Sequence, residues 1–356
     1  MINYWAANMI HISRIVCLLL VSCLLAASDT HLPLTRSRLN TLARFSQSQG
    51  GSALLVLEKG RLRIERYRNK RIKLEPQNLM SGAKNFIVIA VLQAAEEGLL
   101  DLDEFASASI LEWRSDLFKS KIRIRDLLRC SSGLDPATHI LQSRSCSDKY
   151  ATALQVESLN EPGVAFAYGP SHYLVIAEVL HRKLAKRGEL LPDFLLRRIL
   201  SPLKLDLDTW RMDLVGNLIP FAGLSLKPRD WLLFGRMLEA RGSLGGKSLL
   251  GVRSLTEALT PSPTNRAYGL GFWLNAEASN PEAIEADVER WISEPVGSIH
   301  WQKACLSRNA PTDLFACIGS GGQRLYIVPS RQMVIVHLGR CKGFRDAEFL
   351  DILFNH

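Results

Sequence analysis

The hydrophobic rhythm of the chain changes several times. Ser52 to Glu58 is nearly all apolar, Arg61 to Tyr67 alternates basic with apolar positions, and Lys59-Gly60 lies between them, a pattern that predicts a β-hairpin. A helix is predicted ahead of it over 35–47. The run Phe86-Ile87-Val88-Ile89-Ala90-Val91-Leu92 has no polar side and predicts a helix enclosed by protein. From Ser81 to about Arg290 the pattern is mainly helical, broken by clusters such as Glu161-Pro162-Gly163. Strands return at Leu314 to Ile318, Arg324 to Val328 and Met333 to Leu338, followed by a helix from about Arg345 to Phe354. Sheet at both ends with helices between them predicts one split α/β domain carrying a helical part, with its cleft where the two meet. The implied division is a segment and helix over 28–50 and a domain over 51–340. Within that domain the α/β part takes about 51–80 and 300–356 and the helical part about 81–290, with 341–356 a helix on the sheet.

At the N-terminus, Arg14 precedes an apolar stretch from Ile15 to Leu25, and Ala26-Ala27-Ser28 supplies small residues for cleavage. This has the form of a secretory signal over 1–27 and is short for a membrane span. A lipobox-like Leu20-Val21-Ser22-Cys23 competes with that reading, in which Cys23 would carry lipid and the signal would end at 22. An uncleaved anchor is the third alternative. Each of them places the rest of the chain outside the cytoplasm, periplasmic or secreted, with membrane attachment only through Cys23 or an uncleaved segment.

Composition is that of a globular protein: 47% of the 356 residues are hydrophobic, enough for a full core. The net charge of +9 favours anionic surroundings. The densest basic stretch, Arg61, Arg63, Arg66, Arg68, Lys70, Arg71 and Lys73, is read as charge on a solvated edge strand, and no nucleic-acid signature accompanies it. Five cysteines follow the signal. Cys130 with Cys146 and Cys305 with Cys317 would each close a short loop, and the expectation is that both pairs are bridged, with Cys341 left over. Neither Cys-x-x-Cys nor His-Glu-x-x-His occurs, so no metal is expected.

The candidate chemistry lies at the mouth of the enclosed helix. Ser81 and Lys84 are three residues apart and share a helix face. The N-terminal end of a helix offers unpaired N–H groups and partial positive charge, which favour an oxyanion and disfavour an extra proton on Lys84. A lysine partly desolvated there is able to take the serine proton. The alternative is an N-terminal serine beside a solvated lysine.

These residues, with Glu97-Gly98-Leu99-Leu100-Asp101, Ile124-Arg125-Asp126-Leu127-Leu128, Ser132-Gly133-Leu134, Tyr268-Gly269-Leu270-Gly271-Phe272 and Gly319-Ser320-Gly321-Gly322-Gln323, resemble serine penicillin-recognising enzymes of the class C β-lactamase type. That family includes esterase, D-aminopeptidase and amide-hydrolase relatives. The resemblance implies an antiparallel sheet flanked by helices with an inserted helical domain. It also implies an acyl-enzyme on Ser81, with Tyr168 shuttling a proton. Where the family's second motif is Tyr-x-Asn, this chain reads Tyr168-Gly169-Pro170, and proline has no amide to offer a substrate. The third motif corresponds to Ser320-Gly321-Gly322. The resemblance implies that the Gln323 backbone N–H joins that of Ser81 as an oxyanion hole, each donor contributing about 3 kcal/mol. Ser320 lacks the cation that would bind a carboxylate.

The expected function is therefore a serine hydrolase acting without cofactor on a small neutral ester or amide, cell-wall-derived in one version. A β-lactamase or D,D-carboxypeptidase is the first alternative, and a non-catalytic binding protein that kept the fold is the second. Gly242-Ser243-Leu244-Gly245-Gly246-Lys247-Ser248 misses phosphate-loop spacing by one residue. His172, His181, His300 and His337 are read as structural or surface residues.

Overall fold

The computed structural model describes residues 34–294 and 300–355. The signal and lipobox expectations therefore lie outside the described residues. Thr35–Asn355 forms one unit. Its main helices are α1 (Arg36–Ser48), α2 (Lys84–Glu96), α3 (Pro170–Ala185), α4 (Pro228–Glu239) and α5 (Asp346–Phe354). The strands of its main sheet are β1 (Gly51–Glu58), β2 (Arg61–Tyr67), β3 (Trp273–Leu274), β4 (Phe315–Gly319), β5 (Gln323–Val328) and β6 (Met333–Gly339).

The six strands lie in the order β2-β1-β6-β5-β4-β3, and every pairing is antiparallel. The hairpin β1–β2 turns through Lys59 and Gly60, both with positive φ, the conformation a two-residue turn of the I′ type needs. β2 is the edge and exposes Arg61, Arg63 and Arg66, whereas Lys70, Arg71 and Lys73 of the basic stretch stand on a short helix, Lys70–Leu74, and not on the expected edge strand. β6 pairs along β1 from Glu58↔Met333 to Ala53↔Leu338, so the two ends of the unit are joined by backbone hydrogen bonds. This is why the α/β part is split in sequence. The expected strand limits shift by about one residue, as ends fray or extend.

One face of the sheet is covered by α1 and α5. Phe45 meets Phe349 at 6.3 Å, and the Arg38 guanidinium donates to the carbonyls of Leu353 and Asn355, tying α1 to the end of the last helix. α4 packs on β5 and β6. A Cβ on its Gly235 would stand 2.5 Å from Val334 Cγ1 and 2.7 Å from Leu325 Cδ1, so glycine is what lets the helix approach the strands. α2 is buried at every position from Lys84 to Ala94, as its apolar pattern predicts, and its Phe86 stacks on Phe234 of α4 at 4.1 Å.

The expected disulfides are absent. Cys130, Cys146, Cys305, Cys317 and Cys341 are all free thiols. Loop length allowed both bridges, but folding gives each sulfur a different neighbourhood. Cys130 Sγ lies 3.9 Å from the Tyr268 hydroxyl, while Cys146 Sγ donates to Thr152 Oγ1 at 3.3 Å. Cys305 packs with Ala278 and Ala283, and Cys317 sits inside β4.

The packing of α4 generates a stability prediction. Gly235→Ala would gain up to about 1 kcal/mol of helix propensity, against roughly 1–3 kcal/mol for overpacking the sheet contact. The second effect is expected to win, lowering the urea midpoint without changing the slope of the transition.

Candidate active site

The site is built on the turn that feeds α2. Leu79 donates its N–H to the Leu224 carbonyl, and Asn78 reaches the Met80 N–H with its side-chain oxygen and the Ala222 carbonyl with its amide. Met80 is held at φ +51°, the left-handed region, before a short 3₁₀ turn over Met80–Ala83. The sequence pattern predicts the start of the helix at Ser81. The α-helical hydrogen bonds instead begin at Lys84, and Ser81 stands in the tighter turn. With three residues per turn, side chains at i and i+3 eclipse, and Lys84 Nζ donates to Ser81 Oγ at 2.7 Å.

Lys84 is 3% exposed. Among the described residues no carboxylate pairs with its amine; aromatic faces surround it instead, with Nζ 4.6 Å from the centre of the Tyr168 ring and 5.4 Å from that of Tyr173. Burial without a counter-charge disfavours the ammonium and brings its pKa down to about 7. The nearby Cys130 thiol is itself pushed up to about 11 by burial and so remains neutral. Burial likewise raises the Tyr168 phenol, with the Ser81 hydroxyl and Trp273 acting in the opposite direction. Tyr168 therefore keeps its proton at neutral pH.

Gly169 and Pro170 set the position of Tyr168. Gly169 is the N-cap of α3 and Pro170 its first residue, where a missing N–H costs nothing. A Cβ on Gly169 would come 2.4 Å from Pro136 Cβ, so the chain passes under that proline only as glycine. His172, one turn into α3, is fully buried rather than lining a cleft. Its Nε2 donates to the Ala167 carbonyl at 2.6 Å, which leaves Nδ1 to accept from Ser132 Oγ at 2.9 Å. Ser132 and His172 thus pin the residue just before Tyr168.

On the other side of Ser81 is the end of β4. A Cβ on Gly319 would lie 2.1 Å from the Leu79 carbonyl oxygen, so the strand end touches the turn that carries Ser81 with no side chain between them. Ser320, Gly321 and Gly322 form the turn to β5, with positive φ at both glycines. Gln323 lies opposite Gly319 in the hairpin, and its side-chain amide closes the turn. Nε2 donates to the carbonyls of Ser320, Gly321 and Gly339, and Oε1 accepts the Gly339 N–H.

Behind the turn, Arg324 is fully buried. It donates to the Gly319 carbonyl at 2.7 Å and to both oxygens of Asp346 at the start of α5, and it pairs with Glu289 at 3.1 Å. Glu289 also accepts the Gly322 N–H. Neither Arg324 nor Asp346 carries a sequence motif; their pairing is visible only once α5 is folded against β5. The same is true of Trp273 and Trp301, which with Phe166, Tyr168 and Tyr268 make an aromatic wall with centroids 5.0 to 6.3 Å apart.

Because Lys84 has a lower pKa folded than unfolded, the unfolded chain binds the extra proton between about pH 7 and the ordinary lysine range near 10. Its burial therefore costs stability at neutral pH, and that cost fades as pH rises toward 10. Lys84→Met is expected to be more resistant to urea than the parent at pH 7, with a smaller gain at pH 9.5. Equal gains at both pH values would mean that the lysine is not desolvated.

Comparison with known proteins bears on the family and the fold. The beta-lactamase family model matches residues 38–351. No curated protein sequence matches. Among solved structures, a Bacillus anthracis protein described as a 6-aminohexanoate-dimer hydrolase superposes with a TM-score of 0.66 at 20% identity, covering 87% of this chain and 79% of that one. A family VIII carboxylesterase gives 0.64 at 16% identity, with 91% and 96% covered. A D-stereospecific amidohydrolase from Streptomyces sp. gives 0.63 at 15%, with 90% and 99% covered. At such identities the structures speak for the fold, while the family model spans nearly the whole described unit. The chain belongs to the beta-lactamase family of serine hydrolases.

Proposed function

We propose that the protein is a serine hydrolase that forms an acyl-enzyme on Ser81 and acts on small esters or amides with an uncharged reacting end. The observation that carries this reading is the 2.7 Å contact between Ser81 Oγ and a lysine amine stripped of water and counter-charge. Above pH 7 that amine has a free lone pair. It takes the Ser81 proton as the oxygen attacks the carbonyl. The oxyanion forms beside the first turn of α2, where the backbone N–H groups of Ser81 and Gln323 are the donors in this reading. Tyr168, protonated and over Lys84, gives its own proton to the leaving group and is reprotonated by the Lys84 ammonium, which returns the amine to its neutral form. Water then attacks the acyl-enzyme by the same path in reverse. The chemistry uses no cofactor.

Substrate preference follows from what the two altered motifs lack. Pro170 is the buried first residue of α3 and has no amide to hold a substrate carbonyl. Ser320 is exposed and uncharged where the resemblance would place a carboxylate-binding cation. A carboxylate beside the reacting carbonyl, as in penicillins, is left without its partner, at about 1–3 kcal/mol per lost contact. A carboxylesterase and an amidohydrolase stand among the structural neighbours beside beta-lactamases, so ester and amide substrates are both compatible with this fold. Export to the periplasm or beyond is part of the proposal and rests on the N-terminal pattern alone, since the cysteines are unpaired.

Three measurements test the reading. Ser81→Ala is expected to abolish hydrolysis of p-nitrophenyl butyrate while the protein stays folded, and kcat/KM of the parent should rise with pH through about 7 as Lys84 loses its proton; full activity of the alanine variant would end the mechanism. On one preparation, kcat/KM for that ester should exceed that for a chromogenic cephalosporin by at least about tenfold. Equal or faster cephalosporin turnover would return the protein to the β-lactamase reading.

A further inference from the structure

The basic stretch of β2 does not end as a plain solvated edge. Alternation along the strand puts Glu65 and Tyr67 on one face, where Glu65 pairs with Arg229, and Arg66 and Arg68 on the other. A cleft of about 470 Å³ opens on that second side. Arg68 and Arg340 stand in its wall together with Asn78 and Met80 of the nucleophile turn and Ser320 and Gly321 of the β4–β5 turn. Among the described residues no acidic side chain lines it. It adjoins a second cleft, of about 700 Å³, that shares Ser52 and Arg68, adds Arg44 and Arg66, and is again without acid.

The guanidinium groups of Arg66, Arg68 and Arg340 have no carboxylate partner among the described residues, although Arg71 on the same stretch is paired with Glu75. Glu289, behind the turn, is taken up by Arg324 and the Gly322 N–H. Unpaired like charges crowded along one groove repel each other, and an anion relieves that repulsion while accepting several N–H bonds. The groove shares Met80 with the turn that carries Ser81. Its positive end is therefore within reach of the far part of a molecule whose carbonyl lies at Ser81.

We infer that Arg68 and Arg340 form an anion-binding subsite of the Ser81 centre, continued by Arg66 and Arg44, and that the substrate is an ester or amide bearing a carboxylate or phosphate remote from its reacting carbonyl. This rests on the hydrolase reading given above and sharpens it: the reacting end is uncharged, the distant end negative.

The subsite can be read without turnover. Titration calorimetry of inorganic phosphate and of glutarate against the Ser81→Ala protein is expected to show saturable binding of at least one. That binding should weaken about tenfold in Arg68→Gln and in Arg340→Gln and weaken further with added salt. No binding of either anion, or binding unchanged when both arginines are replaced, overturns the inference. Kinetics then identify the anion. p-Nitrophenyl butyrate, the p-nitrophenyl monoester of glutaric acid and p-nitrophenyl 4-phosphonobutyrate differ only at the far end, and one charged ester should exceed the neutral one in kcat/KM by about tenfold or more. Equal values for all three overturn the subsite and leave the Ser81 mechanism intact. Anion binding with hydrolysis of none of the esters overturns the Ser81 mechanism and leaves the subsite intact.

Discussion

Much of this molecule depends on the contact between the end of β4 and the turn before α2. Gly319 has no room for a side chain, because the Leu79 carbonyl oxygen occupies the place where a Cβ would be. What holds the strand end there is a buried ion pair. Arg324 spends one arm on the Gly319 carbonyl and the rest on Asp346 and Glu289, and Asp346 in turn accepts from the Tyr326 hydroxyl at 2.6 Å. A buried charge left unpaired is expensive, roughly 3–5 kcal/mol when one partner is removed. The network therefore makes the β4–β5 turn, the start of α5 and the nucleophile turn adopt their places together or not at all.

The same economy of buried charge explains the chemistry. Arg324 is buried with two carboxylates and stays charged, while Lys84 is buried with none and is held near neutrality at pH 7. Two buried basic side chains thus meet opposite fates, decided by the presence or absence of acids. In the proposed mechanism the neutral amine serves Ser81 as a base, whereas the arginine serves by geometry. Lys84 lowers stability at neutral pH, as functional groups held away from their preferred protonation commonly do.

The tie between α1 and α5 extends this dependence to the chain ends. Arg38 caps the carbonyls at the end of α5, and α5 begins with Asp346. The helix nearest the N-terminus of the described unit is in this way connected to the turn beside Ser81, by one helix and three hydrogen-bonded side chains. Such a path is a structural support. It holds the turn without entering the cleft.

By itself the sequence determined the alternation of strand and helix, the edge character of β2, the enclosed nature of α2 and the Ser81–Lys84 pair. Each of these is written in local spacing: period two, an apolar run without a polar face, and two reactive side chains three residues apart. The family resemblance carried Tyr168 and the glycine turn on position, and it explained neither Pro170 nor Gly169, whose reasons are the start of α3 and the close passage of Pro136. Cysteine spacing misled, because short loops permit a bridge but only folding decides which sulfurs meet, and here they meet Tyr268, Thr152 and alanines instead. Arg324 with Asp346, the aromatic wall around Tyr168 and the acid-free groove beside Met80 were decided by tertiary structure alone. Their members are far apart in the chain, and whether a charge is paired, buried or left open depends on which surfaces fold against each other, which no local pattern records.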